Sequence, residues 1–411
     1  MTKNLEIVPV LLGSGANAYG LARGFYEEFG ARSYAIGPVT LLQSQNSKII
    51  RPRVMPDLAT EEGFVPALKA FAKELAHSEP GKTAIVIACG DTTAELLAHH
   101  RDEVAQDYLT SSVDGALLDR AVDKVEFSRI CEQARVQTPL TRSYTFEDFE
   151  AGKPVPEPAA YPLELKAADS VAYLSVDFPG RKKAYTLHNH DELVQVVHDI
   201  YGAGYKQAIV IQEFIPGDDS QMRTLNAYVN SDGTVAMMSL GNPVMEEYAP
   251  SRIGNYAAII SEGDNTVYSE TEQLLTSLHY TGYANFDLKR DPRDGTYKFL
   301  ELNPRPGGSS DFTSVAGLSL ARWIVRDLVM HTTAPTVRGF DRHLWLGVPK
   351  HVLRKFAPEG PVKDEALHLL KSGNWSKSAH YAPDMNVKRA LNLFRWQLAV
   401  ARDYYKYAPR Q

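Results

Sequence analysis

Apolar and polar positions change their spacing several times along the chain, and each change predicts a different element. Ile7–Leu12 is apolar throughout, the pattern of a strand covered on both faces. The turn Gly13-Ser14-Gly15-Ala16-Asn17 follows, and Tyr19–Phe29 then sets Leu21, Phe25 and Phe29 at helical spacing. Ala84–Ala88 repeats the buried-strand pattern and leads through Cys89-Gly90-Asp91-Thr92-Thr93 into another helix. This alternation predicts a doubly wound parallel sheet over residues 1–120, with ligands beyond the carboxyl ends of its strands. Residues 121–140 predict one amphipathic helix, with Val125, Ile130 and Ala134 inward and Thr138-Pro139 ending it. Tyr161–Ala167 alternates, Leu163 and Leu165 on one face and Lys166 on the other. Ala208–Ser220 is an apolar strand running into Gln212-Glu213-Phe214-Ile215, with Pro216-Gly217 as the turn. Arg223–Met238 and Tyr256–Ile260 predict further strands, Gly241–Asn255 a loop between them, and Ala316–Met330 a buried helix. The last helix, Val387–Tyr407, is basic and aromatic. Its Leu391/Phe394/Leu398/Ala401 stripe is expected to pack on the body and leave the charges wet.

The richest chemistry lies in Asn285–Ser310, NFDLKRDPRDGTYKFLELNPRPGGSS. It predicts two antiparallel strands joined at Asp291-Pro292-Arg293-Asp294-Gly295, followed by a glycine-rich loop. Asp287 lies opposite the apolar Phe286 and Leu288. On the second strand Phe299 and Glu301 share one face, with Asn303 next along it. Two carboxylates and an amide oxygen are an all-oxygen set suited to Mg²⁺ shared with phosphate. Arg305 adds a fixed cation where negative charge could develop, and Lys289 of the same string is counted with the catalytic cations. Backbone and hydroxyl donors of Gly308, Ser309 and Ser310 suit a substrate carboxylate. The early turn, through Gly15 and Asn17, suits a substrate anion at a helix start, and equally reads as a tight turn and nothing more.

Composition narrows the class. The 411 residues are 44% hydrophobic and 23% charged, an ordinary globular balance large enough for two or three domains. A net charge of −6 gives no reason to expect nucleic acid. Cys89 and Cys131 are too few for a disulfide framework, which points to a reducing, cytoplasmic setting. No run reaches the roughly 20 apolar residues of a membrane span, so no transmembrane segment is expected.

The string D-x-K…E-x-N-P-R-P-G-G-S-S resembles the metal-binding signature of the ATP-grasp superfamily, ligases that join a carboxylate to an amine through an acyl phosphate. K-x-x-F…T-P around Lys124 and P-x-x-x-K ending at Lys166 are similar to the family's two phosphate lysines. Where the family has proline after the second lysine, Ala167 stands here. Ala168–Lys183, the family's flap region, has no glycine cluster. Q-E-F-I-P-G resembles the nucleotide hinge. The resemblance implies adenine on the Gln212 carbonyl and Ile215 amide, beside Glu213 and Phe214, and ribose on Asp219, where the family more often has glutamate. It implies α/β architecture, α+β in the nucleotide-binding part: an N-terminal doubly wound domain over 1–120, an ATP-grasp domain pair over 121–335 with a lid at about 141–215, and a small helical C-terminal region over 336–411.

Length, the G-S-G-A-N-A-x-G-x-A-R start and the C-terminal extension are most similar to the D-aspartate ligase group, which attaches D-aspartate to the lysine-type side chain of a peptidoglycan precursor. The implied cofactors are ATP and Mg²⁺, with Mn²⁺ as a second acceptable ion. The implied partners are a small carboxylate and a muramyl-peptide amine; a homodimer is compatible. Arg252, in the Gly241–Asn255 loop, reads either as a cation closing over the γ-phosphate or as a solvated loop arginine. Two other functions fit parts of the pattern: a ligase of small soluble amino acids or dipeptides, and a non-catalytic ATP-binding module. The basic C-terminal helix also fits peripheral contact with anionic lipid.

Overall fold

The structure, a computed structural model, describes residues 5–408 apart from 174 and 251. Residue 174 falls in the flap region and residue 251 in the segment beside Arg252, so those positions of the two expectations lie outside the described residues. The chain divides into two compact units: one of residues 1–118, 218–287 and 303–411, the other of 119–217 and 288–302.

The first unit opens with β1 (Ile7–Leu12), β2 (Ser33–Gly37), β3 (Ile50–Val54) and β4 (Thr83–Ala88), all parallel, in the order β3-β2-β1-β4. Period-two packing explains why β1 is apolar throughout. Ile7 and Leu11 meet Leu21 and Phe25 of the helix Ala16–Phe29, while Val8, Val10 and Leu12 join Phe64, Leu68 and Phe71 of the helix Glu61–Ser78. The second unit carries β5 (Thr141–Tyr144), β6 (Leu163–Ala167), β7 (Ala184–Leu187) and β8 (Ile209–Glu213), antiparallel in the order β5-β8-β6-β7. Leu163, Leu165 and Ile211 of its sheet pack with Val197, Ile200 and Tyr201 of the helix His190–Gly202.

Beyond it come β9 (Met222–Val229), β10 (Val235–Glu246), β11 (Tyr256–Glu262), β12 (Gly282–Arg290) and β13 (Tyr297–Asn303), then the short β14 (Val337–Arg338), β15 (Leu344–Leu346) and β16 (Trp375–Ser376). Their sheet runs β13-β12-β9-β10-β11-β15-β16, with β14 on β10. The C-terminal residues thus supply strands as well as helices. Among the latter, Lys350–Phe356, Pro361–Ser372 and Val387–Tyr407 enclose a core of Val352, Leu353, Leu369, Val400 and Tyr404.

Four local expectations are corrected. The helix expected over 121–140 spans Lys124–Gln133: Asp123 caps it, its carboxylate accepting from the Val125 and Glu126 amides, and Arg135 turns away at φ 55°. The loop expected over Gly241–Asn255 begins later, because β10 continues to Glu246 and pairs with β11; register shifts after Pro243 let a proline sit in the strand. The helix expected over Ala316–Met330 is Leu320–Leu328, separated by Gly317 (φ 98°) from a short turn of helix, Asp311–Val315. The helix Val387–Tyr407 forms as expected but buries a different face: Leu391, Phe394 and Leu398 are 48–60% exposed, while Arg389, Leu393, Val400, Ala401 and Tyr404 turn inward. Polar anchors fix that orientation. Arg389 Nη1 donates to the Gln43 and Gln45 carbonyls, and the Tyr404 hydroxyl donates to the Glu246 carbonyl.

Candidate active site

In the second unit, Lys124 opens its helix at the first position after the Asp123 cap, and Lys166 projects from β6 beside β8. Lys124 Nζ lies 3.9 Å from Glu301 Oε2, and Lys166 Nζ lies 3.0 Å from Glu164 Oε1. Burial pulls the Lys124 amine below its ordinary range; Glu301 and Glu164 oppose this, while Lys166 and Lys183 add to it. Lys166 and Lys183 both lie within electrostatic reach of Lys124, together with two carboxylates, an arrangement suited to a polyphosphate. Lys183 was not singled out in the sequence; its position one residue before β7 signals it only once the sheet is known.

The hinge segment leaves β8 directly. The Gln212 side-chain amide donates to Thr141 Oγ1 at 2.9 Å, and the Glu213 carboxylate is gripped by Arg293 and approached by the Leu140 amide. Those side chains are committed to holding the strand end. Ile215 is buried at 4% exposure, and its amide meets no acceptor among the described residues. Lys289 Nζ stands 5.6 Å from the centroid of the Phe214 ring, a cation beside an aromatic face.

In the first unit, Asp287 Oδ1 accepts from the Tyr256 hydroxyl at 3.2 Å. Asn303 and Arg305 form a tight pair: Arg305 Nη2 donates to Asn303 Oδ1 at 3.4 Å and the Arg305 amide to the Asn303 carbonyl at 2.8 Å. Arg305 Nε donates to Asp91 Oδ1 at 2.5 Å, so the loop after β13 is tied to the start of the helix Asp91–His99. Below this loop lies a buried amide network that the sequence reading missed. Asn285 Nδ2 is shared among Thr224 Oγ1, the Leu225 carbonyl and Asn226 Oδ1, and the Gly307 amide donates to Asn226 Oδ1 at 3.3 Å. Its signal was two polar residues, Thr224 and Asn226, side by side on one face of β9. Ser309 and Ser310 are buried beyond it, beside the more exposed Gly308.

Asn17 is committed to the fold: its amide nitrogen donates to the Cys89 carbonyl at 2.5 Å, fastening the early turn to the end of β4. Gly15 caps the following helix in an extended conformation, with no side-chain cap bond. Asp219 sits in a single helical turn, Asp219–Gln221, and its charge helps push the half-buried Glu246 carboxyl up to about 7, with burial the larger cause. Arg252 pairs with Glu247 (3.2 Å) and Asp403 (2.9 Å), so its guanidinium is already neutralised within its own unit. Asp287 and Asn303 belong to the first unit and Glu301 to the second.

A scan against protein-family models finds no match. Against curated proteins, the chain is 38% identical over 414 residues to the D-aspartate ligase of Enterococcus faecium (strain Aus0004), spanning 99% of this chain and 96% of that protein. It is 24% identical over 337 residues to the carbamoyl phosphate synthase large chain of Deinococcus deserti, spanning 79% of this chain and 30% of that one. Among solved structures, it resembles an L-amino acid ligase from Bacillus licheniformis (TM-score 0.54, 15% identity, 80% of this chain and 75% of that one). It also resembles the ADP complex of N5-carboxyaminoimidazole ribonucleotide synthetase (TM-score 0.59, 13% identity, 90% and 96%). At these identities the structural likeness shows the fold.

Proposed function

The chain belongs to the D-aspartate ligase family of ATP-grasp enzymes, and from that premise we propose that it joins the β-carboxylate of D-aspartate to the lysine-type side chain of a peptidoglycan precursor. The chain is an ADP-forming carboxylate–amine ligase; the substrate pair is the part proposed. The observation that carries it is likeness at 38% identity over nearly the full length of both chains.

ATP is read as a substrate, with its adenine on the Gln212 carbonyl and Ile215 amide, its ribose on Asp219, and its α- and β-phosphates on Lys124 and Lys166. Asp287, Glu301 and Asn303 fit Mg²⁺ by donor chemistry, three hard oxygens on or just past one hairpin; Mg²⁺, when bound, supplies charge neutralisation to the phosphates. Nothing in that donor set calls for Mn²⁺. The substrate carboxylate attacks the γ-phosphorus and ADP leaves; the amine then displaces phosphate from the acyl phosphate. Positioning and charge neutralisation supply most of the acceleration in such transfers. Arg305, oriented by Asp91 and Asn303, is read as stabilising the tetrahedral oxyanion, with the Gly308–Ser310 donors on the amino-acid carboxylate. Lys289 adds charge near the base, and Gly15 and Asn17 shape the substrate side of residues 1–120.

A cytoplasmic setting, a muramyl-peptide acceptor and a homodimer complete the reading. No described helix is long and apolar enough to cross a membrane. The exposed Val387, Leu391, Phe394 and Leu398 row, flanked by Lys388, Arg395 and Arg402, suits the surface of an anionic bilayer. The test of the substrate pair is Mg²⁺-dependent phosphate release with D- or L-aspartate, each with and without a uridine-diphosphate-linked muramyl pentapeptide. Release that needs both D-aspartate and the peptide is expected; equal release with L-aspartate or with small amines would refute the pair.

A further inference from the structure

A cavity of about 380 Å³ in the first unit is lined by Arg23, Lys350, Trp375, Ser376, Lys377 and His380. None of these residues takes part in the chemistry proposed above. The lining holds three cationic side chains and no carboxylate.

Arg23 and Lys350 are held in place by their surroundings. Arg23 donates through Nε to Glu27 Oε1 at 2.8 Å, reaches the Lys377 and Ser378 carbonyls at 3.4 Å, and stacks over Tyr381 with 4.9 Å to the ring centroid. Lys350 Nζ sits 3.5 Å from the centroid of the Trp375 ring. Among the described residues, neither Lys350 nor Lys377 has a carboxylate within 4.0 Å. Burial, and then the charge of Lys350, lower the Lys377 amine to about 8. Burial also lowers the His380 imidazole, with Lys377 and Arg389 adding to it. Two lysines kept close without a counter-ion, one of them partly desolvated, cost stability that an anion would recover. Arg23, with its orientation fixed, adds a planar donor to the same space, while Ser376 Oγ is bonded to His343 Nε2 at 2.9 Å and His380 Nε2 lies 3.2 Å from Gln397 Nε2.

We propose that this cavity is a second anion site, taking a phosphate-bearing ligand through Arg23, Lys350 and Lys377 and separate from the lysines that serve ATP. Two sources share that chemistry. One is the diphosphate of a nucleotide-linked acceptor, which rests on the function proposed above; the other is free inorganic phosphate or pyrophosphate, which does not.

The experiment titrates the full-length protein, saturated with Mg²⁺ and a non-hydrolysable ATP analogue so that the nucleotide lysines are occupied. The probes are inorganic phosphate, inorganic pyrophosphate and a uridine-diphosphate-linked muramyl pentapeptide, read by tryptophan fluorescence with Trp375→Phe assigning the signal. At least one probe is expected to bind at low salt. Lys350→Met and Lys377→Met should each weaken it about tenfold or more, and binding should fall as pH rises through 8. Ser376→Asp, which sets a carboxylate into the lining without removing a cation, should abolish it. Preference for the nucleotide-linked probe assigns the acceptor as the source, and preference for the inorganic anions assigns the free ion. The proposal is overturned if no probe binds, or if Lys350→Met, Lys377→Met and Ser376→Asp bind as the wild type does. Because occupancy is read without turnover, a failure of the D-aspartate assignment leaves this result interpretable.

Discussion

Two adjacent glycines in the loop after β13 should respond very differently to the same small change. A Cβ on Gly307 would stand 2.9 Å from Asn285 Cγ and Nδ2, inside any real contact distance, and Asn285 is only 5% exposed. A Cβ on Gly308 would find its nearest neighbour, Asn255 Oδ1, at an ordinary 3.7 Å. Neither glycine has positive φ, so backbone strain does not separate them. Gly307→Ala must displace Asn285, whose amide nitrogen is shared among Thr224, Leu225 and Asn226. Overpacking costs about 1–3 kcal/mol, and each disturbed buried hydrogen bond about 0.5–1.5 kcal/mol. With one such bond lost the sum is about 1.5–4.5 kcal/mol for Gly307→Ala against less than about 0.5 kcal/mol for Gly308→Ala. Asn303 ends β13 and Arg305 lies in the loop after it, so kcat should fall together with stability in Gly307→Ala, while Gly308→Ala should keep its stability. Urea unfolding and coupled phosphate release measure the two quantities. In a double-mutant cycle, Asn285→Ala makes room for the new methyl, so the two changes should cost less together than their sum. Equal stability of the two alanine variants, or full additivity with Asn285→Ala, would refute the close-packing argument.

Replacing Lys124 by methionine should raise the KM for ATP and lower kcat/KM about 10²- to 10³-fold by steady-state kinetics, with the melting temperature kept or raised because a desolvated charge is removed. Arg252→Ala should destabilise by about 1–3 kcal/mol in urea titration, because it strands Glu247, whose carboxyl burial already pushes up. An unchanged kcat in that variant would remove Arg252 from the catalytic set. Glu246 titrates near 7 folded against an ordinary value of 4.5, so the stability it contributes is complete below pH 4.5 and is lost as pH rises toward and through 7. Glu246→Gln should therefore raise the thermal midpoint at pH 8 relative to wild type and leave it nearly unchanged at pH 4.5. Co-sedimentation with anionic liposomes at low salt should capture the wild type and lose Phe394→Glu, which breaks the exposed row while the helix keeps its buried face; no capture of the wild type would end the membrane reading.

The elements most legible in the sequence were those whose pattern permits one geometry. β1 is apolar at six positions in succession, which only a strand covered on both faces explains, and its limits match the structure. The hairpin of β12 and β13 was equally readable, because Asp-Pro-Arg-Asp-Gly reverses a chain whichever sheet receives it. The break at Asp123 carries a cap signature, an aspartate with a glutamate three residues on, set within a run whose apolar spacing is helical on both sides. At Pro243 the signal pointed the wrong way. Asn-Pro reads as a turn, and only register shifts against β11 make that proline acceptable inside a strand.

The polar interior explains the rest. The helix Val387–Tyr407 has two faces of comparable apolarity, and periodicity alone cannot choose between them. The choice is made by Arg389, which is 1% exposed and pairs at 3.1 Å with the equally buried Asp384, itself the acceptor of the Tyr19 hydroxyl at 2.8 Å. A buried ion pair contributes little net stability compared with apolar packing, but stranding either charge is costly, so it discriminates strongly between ways of docking one helix. The same logic governs the loop after β13: Asn285, Asn226 and Thr224 carry no catalytic signature, yet the position of Asn303 and Arg305 depends on their mutual satisfaction. The residues proposed to meet the substrate stand out by chemical type and spacing. Those that aim them are ordinary amides and hydroxyls whose partners lie about 60 to 80 residues away, beyond the reach of local pattern.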